Sequence, residues 1–362
     1  MKVLQCLILQ LGQIMFLRGN RMRKIDVFCH LMPKGYAERC IEAAPHQSHM
    51  FQRALKIPAM SDMDYRLRVL DQFPGYQQIP NIVSPPVEAF AGPDLSPKLA
   101  AIGNDELKQI CDAHPEYYVG FSAQIPFNNP KASVEEIRRV KDMGASGIQI
   151  YTHMNGEPID QEKFWIIFEE CEKQDMPIQI HPVGGQMTPE FPTEERSMYE
   201  LWFTIGWPYQ TTVSMFRLAY AGIFRDFPKI KIITHHVGAM VPMLEGRIEN
   251  GLKQYGGRTS PDMKEKLTKC CENMVDDPLG TMKKFYADTA SFGSAGAIRA
   301  GLDFFGPDHI LFASDMPFDP EQGAGYIERT IRAIDQLDLD GETRQKIYHK
   351  NAEKIYGKGL RK

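Results

Sequence analysis

Four apolar runs of this chain end in side chains that can hold a metal or move a proton. His30 closes "IDVFC", His181 closes "MPIQI", His235 and His236 close "KIKIIT", and Asp315 closes "ILFAS". Imidazole and carboxylate form the donor set that suits Zn²⁺, and equally Mn²⁺ or Fe²⁺. The same two groups are the commonest general acids and bases. A single histidine at a strand end is more often a hydrogen-bonded structural residue. Here the weight lies in the coincidence, because three strand ends carry histidine and a fourth carries aspartate. Of the ten histidines, His46, His49, His114, His309 and His349 fall in helix or loop contexts and receive no role. His153, in "YTHMNG", is read either as a residue of the site's mouth or as structural.

Converging strand ends require parallel strands. The strand-like runs are Ile25–Cys29, Ile79–Val83, Tyr118–Gln124, Gly147–Tyr151, Pro177–Ile180, Ile230–Thr234, Phe285–Ala287 and Ile310–Ala313. Helical patterns lie between them. Ser133–Met143 places Val134, Ile137 and Val140 at helical spacing, and Asp160–Gln174 places Phe164, Ile167, Phe168 and Cys171 likewise. Asp160 and Asn104 are read as helix N-caps. Strands alternating with helices predict an α/β protein with a parallel sheet. Eight strands are the number that closes a (β/α)8 TIM barrel, in which the strand C-termini share one face. The irregular stretch 35–100 is read as an insertion after the first strand that covers one mouth. A second irregular stretch, 182–212, follows the fifth strand, and long loops of this kind in compact domains are usually functional.

The chain has 362 residues, 43% apolar and 24% charged, enough for one large domain with a substantial core. The net charge of −4 gives no case for nucleic acid as a partner. Seven scattered cysteines without a C-x-x-C pair argue against a disulfide framework and for reduced thiols in a cytoplasm. Residues 1–21 hold an apolar stretch of signal-peptide length without a small-residue cleavage site, too Gln-interrupted for a membrane helix. They are expected to be an extension outside the fold, with 22–362 forming a single domain. "PVGGQ" lacks the Lys-Ser/Thr helix start of a P-loop, and neither G-x-G-x-x-G nor a G-x-S-x-G elbow is found.

The segments "IDVFCHLMP", "GASGIQIYTHMNGEPID", "MPIQIHP", "GWPYQTT", "HHVGAMVPMLEGRIE", "FYADTA" and "ILFASDMPF" occur in an order and spacing that resemble the amidohydrolase-2 family. The likeness is to the branch typified by aminocarboxymuconate semialdehyde decarboxylase and γ-resorcylate decarboxylase. The likeness runs from about Arg23 to Ile355. It implies that His30, His181 and Asp315 bind a divalent metal, with Zn²⁺ expected and Mn²⁺ or Fe²⁺ possible. It also implies that His236, with Pro242 six and Arg247 eleven positions on, is the catalytic acid–base. Asp315 would then double as proton donor to the reacting carbon. Arg247 would reach the neighbouring subunit's site in a homodimer and pair with a substrate carboxylate; a helix-surface ion pair is the alternative. His235 is read as a structural neighbour.

One position departs from the family. Its first strand ends in His-x-His or Glu-x-His, and both ends of that triplet bind the metal. Here the triplet is Phe28-Cys29-His30. Period-two alternation puts Phe28 beside His30 and turns Cys29 to the other face, so Cys29 is a poor substitute. Three ligands and an open position remain, a normal catalytic arrangement, with weaker binding than in relatives. Phe28 is read as packing on a substrate ring or filling the barrel floor. Trp207 and Tyr209 would shape a flat pocket, with core packing as the alternative. The expected activity is non-oxidative decarboxylation of an aromatic or unsaturated small-molecule carboxylate. The alternatives are a metal-dependent hydrolase or hydratase, and a metal-free, non-catalytic member.

Overall fold

The computed structural model describes residues 22–46, 49–251, 261–263, 270, 272–274 and 276–361. The expectation for residues 1–21 lies outside the described residues. Eight parallel strands form one curled sheet: β1 His30–Leu31, β2 Asn81–Ile82, β3 Ser122–Gln124, β4 Gly147–Tyr151, β5 Ile178–His181, β6 Ile232–Thr234, β7 Tyr286–Asp288 and β8 Ile310–Leu311. Neighbours in the sheet are neighbours in the chain. Each parallel step needs a long crossover, and helices supply it.

The two outer strands meet through the backbone. Val27 N donates to Phe312 O (3.0 Å), His30 N to Met316 O (2.9 Å) and Asp315 N to Phe28 O (3.0 Å). The first strand also extends backwards, since Lys24–Asp26 pairs in parallel with Tyr76–Gln78 before the chain bends at residues 27–28. That bend separates two packing environments. Phe28 joins a buried cluster with Val27, Ile79, Ile233, Leu311 and Ala313. Cys29 and Leu31 join the larger core with residues of the helices.

Helix Pro130–Asp142 begins three residues before the predicted start. Asn129 accepts the Ala132 N–H as N-cap, and Pro130 occupies the first turn, where no amide partner is needed. Its buried stripe is Ser133, Glu136, Ile137 and Val140. The two predicted caps are corrected. Asn104 lies inside helix Ser96–Ala113 and pins it to β3: its Nδ2 donates to Gln124 O (2.8 Å) and Glu136 Oε1 (2.6 Å), and its Oδ1 accepts from Gln124 N (2.9 Å). Asp160 precedes a 3-10 turn, Glu162–Phe164, whose N-cap position is Gln161, and its carboxylate instead accepts from Arg217 Nε (2.8 Å).

Among the described residues, four helices stand between β1 and Tyr76–Gln78: Lys34–Ala43, His49–Ala54, Pro58–Ser61 and Met63–Leu70. The last of these carries Arg66, a fully buried guanidinium. It donates to His30 O (2.7 Å), Ala59 O (2.9 Å) and Gln78 Oε1 (2.7 Å). Charge-assisted bonds of this kind are strong and directional, so these helices fix the backbone under His30.

Candidate functional site

Every strand-end residue named from the sequence comes to one place. Asp315 stands at its centre, with His30 Nε2 at 3.0 Å and His235 Nε2 at 3.4 Å from Oδ1, and His236 Nε2 at 3.8 Å from Oδ2. The His181 ring centroid is 5.2 Å from His30 and 5.3 Å from His235. His181 Nδ1 donates to the Pro182 carbonyl, which leaves Nε2 for the cluster.

Local backbone makes this convergence possible. Adjacent residues of a strand point to opposite faces, yet the His235 and His236 rings lie 3.8 Å apart. A left-handed turn begins at His236 (φ 59°, ψ 50°) and runs through Val237 (φ 61°) and Ala239 (φ 57°). Gly238 (φ 69°) sits within it, where a Cβ would meet the Phe305 ring at 2.6 Å. Asp315 is also left-handed (φ 65°). Non-glycine residues in this region are costly, and such strain gathers at functional sites. Asp26 helps to hold it: its Oδ1 accepts from Phe28 N (3.0 Å) and Ser314 N (3.2 Å), while the Ser314 and Tyr76 hydroxyls donate to its Oδ2.

The electrostatics follow from burial and pairing. Burial opposes charge on Asp315, but the imidazoles of His235, His236 and His30 that face it outweigh burial and hold the carboxyl well below its usual range. Burial likewise opposes charge on His235, and Asp288 and Asp315 overturn it, raising the ring to about 9. His181 and His236 are lowered by burial first, then by neighbouring imidazoles. His30 Nδ1, His235 Nε2 and His236 Nδ1 are buried without a hydrogen-bond partner. Ligand atoms of His30, His181 and His235 lie within 4.8 Å of one another, as do those of His235, His236 and Asp315. Imidazole and carboxylate ligand atoms at that spacing fit a divalent cation.

The remaining expected residues separate. Phe28 is fully buried and stacks on His235, with centroids 3.9 Å apart and planes at 16°. Trp207 lies nearly parallel to His236 (6.2 Å, 20°) and donates from Nε1 to Gly184 O at 2.8 Å. Trp207, His236, Met243 and Phe292 border a cavity of about 600 Å³, mostly apolar in its walls. Tyr209 is 60% exposed and borders a different cavity with His153. Arg247 is exposed on helix Glu245–Gly251, with no ion pair among the described residues. Asp288, the strand-end carboxylate of β7, was not anticipated.

Glu88 is a further buried carboxyl, near Tyr151 and without a hydrogen-bond partner for Oε2. Burial raises it from 4.5 to about 8. The folded state therefore keeps a proton that the unfolded chain gives up between those values. Stability should fall as pH rises through that window, by up to about 5 kcal/mol, and level off above it. Glu88→Gln lacks this loss, so its melting temperature should exceed wild type near pH 8.5 and approach it near pH 5. An equal difference at both pH values would contradict the assignment.

A family model described as amidohydrolase matches residues 25–358. The 2-amino-3-carboxymuconate-6-semialdehyde decarboxylase of Dictyostelium discoideum is 27% identical over 71% of this chain and 67% of its own. The γ-resorcylate decarboxylase of a Polaromonas species is 27% identical over 81% of this chain and 86% of its own. The solved 5-carboxyvanillate decarboxylase of Novosphingobium aromaticivorans, complexed with manganese and 4-hydroxy-3-methoxy-5-nitrobenzoic acid, superposes with a TM-score of 0.77 at 21% identity. That match covers 93% of this chain and 97% of the other.

Proposed function

The chain belongs to the amidohydrolase family, and from that premise we propose that it is a metal-dependent carboxy-lyase acting on an aromatic or unsaturated hydroxycarboxylic acid. The observation that carries the reading is Asp315, a buried carboxylate touching three imidazoles at the end of β8, with His236 opening onto an apolar cavity. The decarboxylase names of the relatives support the same reaction class.

His30, His181 and Asp315 are the residues we assign to the cation. Zn²⁺ is our first assignment, and the same donors accept Mn²⁺, which the Novosphingobium relative holds, or Fe²⁺. When bound, the cation supplies Lewis-acid polarisation of the substrate's oxygen next to the carboxylate. Trp207 and Phe292 clamp a flat ring against the cavity wall and exclude water. Asp315, a carboxylate at rest, takes a proton from His236 and delivers it to the carbon bearing the carboxylate. The carbon–carbon bond then breaks, its electron pair returns to the ring, and carbon dioxide leaves without an oxidant. His236, 3.8 Å from Asp315 Oδ2, passes the next proton in from the cavity. Chelator treatment should abolish carbon dioxide release from ortho-hydroxylated aromatic acids, and added Mn²⁺ or Zn²⁺ should restore it. Release that survives complete metal removal would sink the reading.

We further read the sheet as a closed (β/α)8 barrel in a single domain, 22–362, with the stretch 35–100 as an insertion after the first strand. The backbone bonds from 27–30 to 312–316 support closure. No helix among the described residues is long and apolar enough to cross a membrane. The buried thiols of Cys29, Cys40, Cys111 and Cys171 are unpaired, which supports a reducing, cytoplasmic setting. We assign Arg247 to a neighbouring subunit's site in a homodimer. If that is right, mixing Arg247→Ala with Asp315→Asn protein restores up to about a quarter of the activity, as random pairing of subunits implies. No recovery after proven subunit exchange would reject it.

A further inference from the structure

The first strand lacks the ligand its family resemblance implies at position 28, and the structure puts a different imidazole beside the gap. Phe28 cannot bind a metal, but its ring lies flat against His235 at 3.9 Å. His235 is fully buried. Its Nδ1 donates to Asp288 Oδ2, and the other oxygen of Asp288 is held by Val237 N (3.2 Å) and Ala290 N (3.0 Å). The imidazole is therefore fixed in rotation by a clamped carboxylate on one edge and a phenyl face on its flank.

What this clamp presents is Nε2. That atom is buried, has no hydrogen-bond partner and lies 3.4 Å from Asp315 Oδ1. Its ring faces those of His30 (6.3 Å) and His181 (5.3 Å), with ligand atoms of all three within 4.8 Å. A histidine kept for packing has both nitrogens satisfied, because an unpaired buried polar atom is costly. A carboxylate on one ring nitrogen with the other aimed at fellow donors is the usual arrangement of a metal-bound histidine.

We propose that His235 is the third imidazole ligand of the divalent cation, replacing the donor lost at Phe28, with Asp288 and Phe28 as its positioning residues. The inference rests on the metal-dependent reading above. It replaces the three-donor site expected from the sequence with His30, His181, His235 and Asp315. It also removes the reason to expect weak binding, since a lost donor on one strand is offset by a gained donor across the site.

X-ray absorption at the zinc edge of the Zn²⁺-loaded wild-type protein counts imidazoles directly. Three are expected; two would overturn the proposal. Competition with a chromophoric chelator adds affinities. His235→Asn should weaken Zn²⁺ binding at least about 100-fold, Asp288→Asn roughly 10–100-fold, and Phe28→His in the His235→Asn background should recover at least about tenfold. Zn²⁺ affinity within threefold of wild type in folded His235→Asn protein would overturn the proposal as well. If that variant does not fold, the wild-type imidazole count decides. A wild type that takes up no metal would bring down this inference and the metal-dependent reading together. Loss of metal in His181→Ala but not in His235→Asn would bring down this inference alone.

Discussion

Asp315→Asn lowers the rate of carbon dioxide release at least about 10³-fold on a metal-loaded enzyme. The substitution keeps shape and removes two things. Asparagine cannot donate an acidic proton to carbon, and it carries no charge for three imidazoles to pair with. His30 Nε2 and His235 Nε2 both contact Oδ1, at 3.0 and 3.4 Å, so the amide would also have to orient its oxygen toward them. Its nitrogen would then face His236 Nε2, 3.8 Å from Oδ2 in the native site. The left-handed backbone at residue 315 tolerates asparagine well, so the protein should fold normally. Turnover within tenfold of wild type, in protein of matched metal content, would remove Asp315 from the chemistry.

His236→Asn is expected to lower turnover about 10²- to 10³-fold while leaving metal content at the wild-type level. This residue differs from the other imidazoles by position. Its side chain is 11% exposed, whereas those of His30 and His235 are fully buried. It borders the cavity, and its Nδ1 has no partner. A proton carrier between solvent and Asp315 needs that access, and a structural ligand does not. If His236→Asn protein lost its metal as His181→Ala should, His236 would belong to the ligand set. If it kept full turnover, the proton route would run elsewhere.

The parts of the site legible in the sequence are those governed by one rule, that parallel strands end on one face. His30, His181, His236 and Asp315 each follow a recognisable apolar run, so their convergence was expected. Asp288 obeys the same rule at the end of β7, and applying it to "FYAD" would have found it. The place of His235 beside His236 was not legible, because alternation sends neighbouring side chains apart. The turn that defeats alternation is built from non-glycine left-handed residues, Val237 and Ala239, which no propensity announces. Tyr209 was paired with Trp207 because 182–212 looked irregular. In fact helix Gly206–Ala221 carries both, and two residues on a helix are about 200° apart. Trp207 therefore meets His236 while Tyr209 faces away. Arg66 bonds the His30 carbonyl from 36 positions along the chain, and nothing local in the sequence marks a charged helix residue as buried.

The most direct test of the central claim follows the atoms. Metal-loaded enzyme is given carboxyl-¹³C ortho-hydroxybenzoic acids in deuterated, ¹⁸O-enriched water. Decarboxylation through Asp315 predicts one ¹³C-labelled carbon dioxide per product, one deuterium on the carbon that lost it, and no ¹⁸O in the ring product. A product that keeps its ¹³C and gains ¹⁸O would contradict the account and make the enzyme a hydrolase or hydratase built on the same histidines.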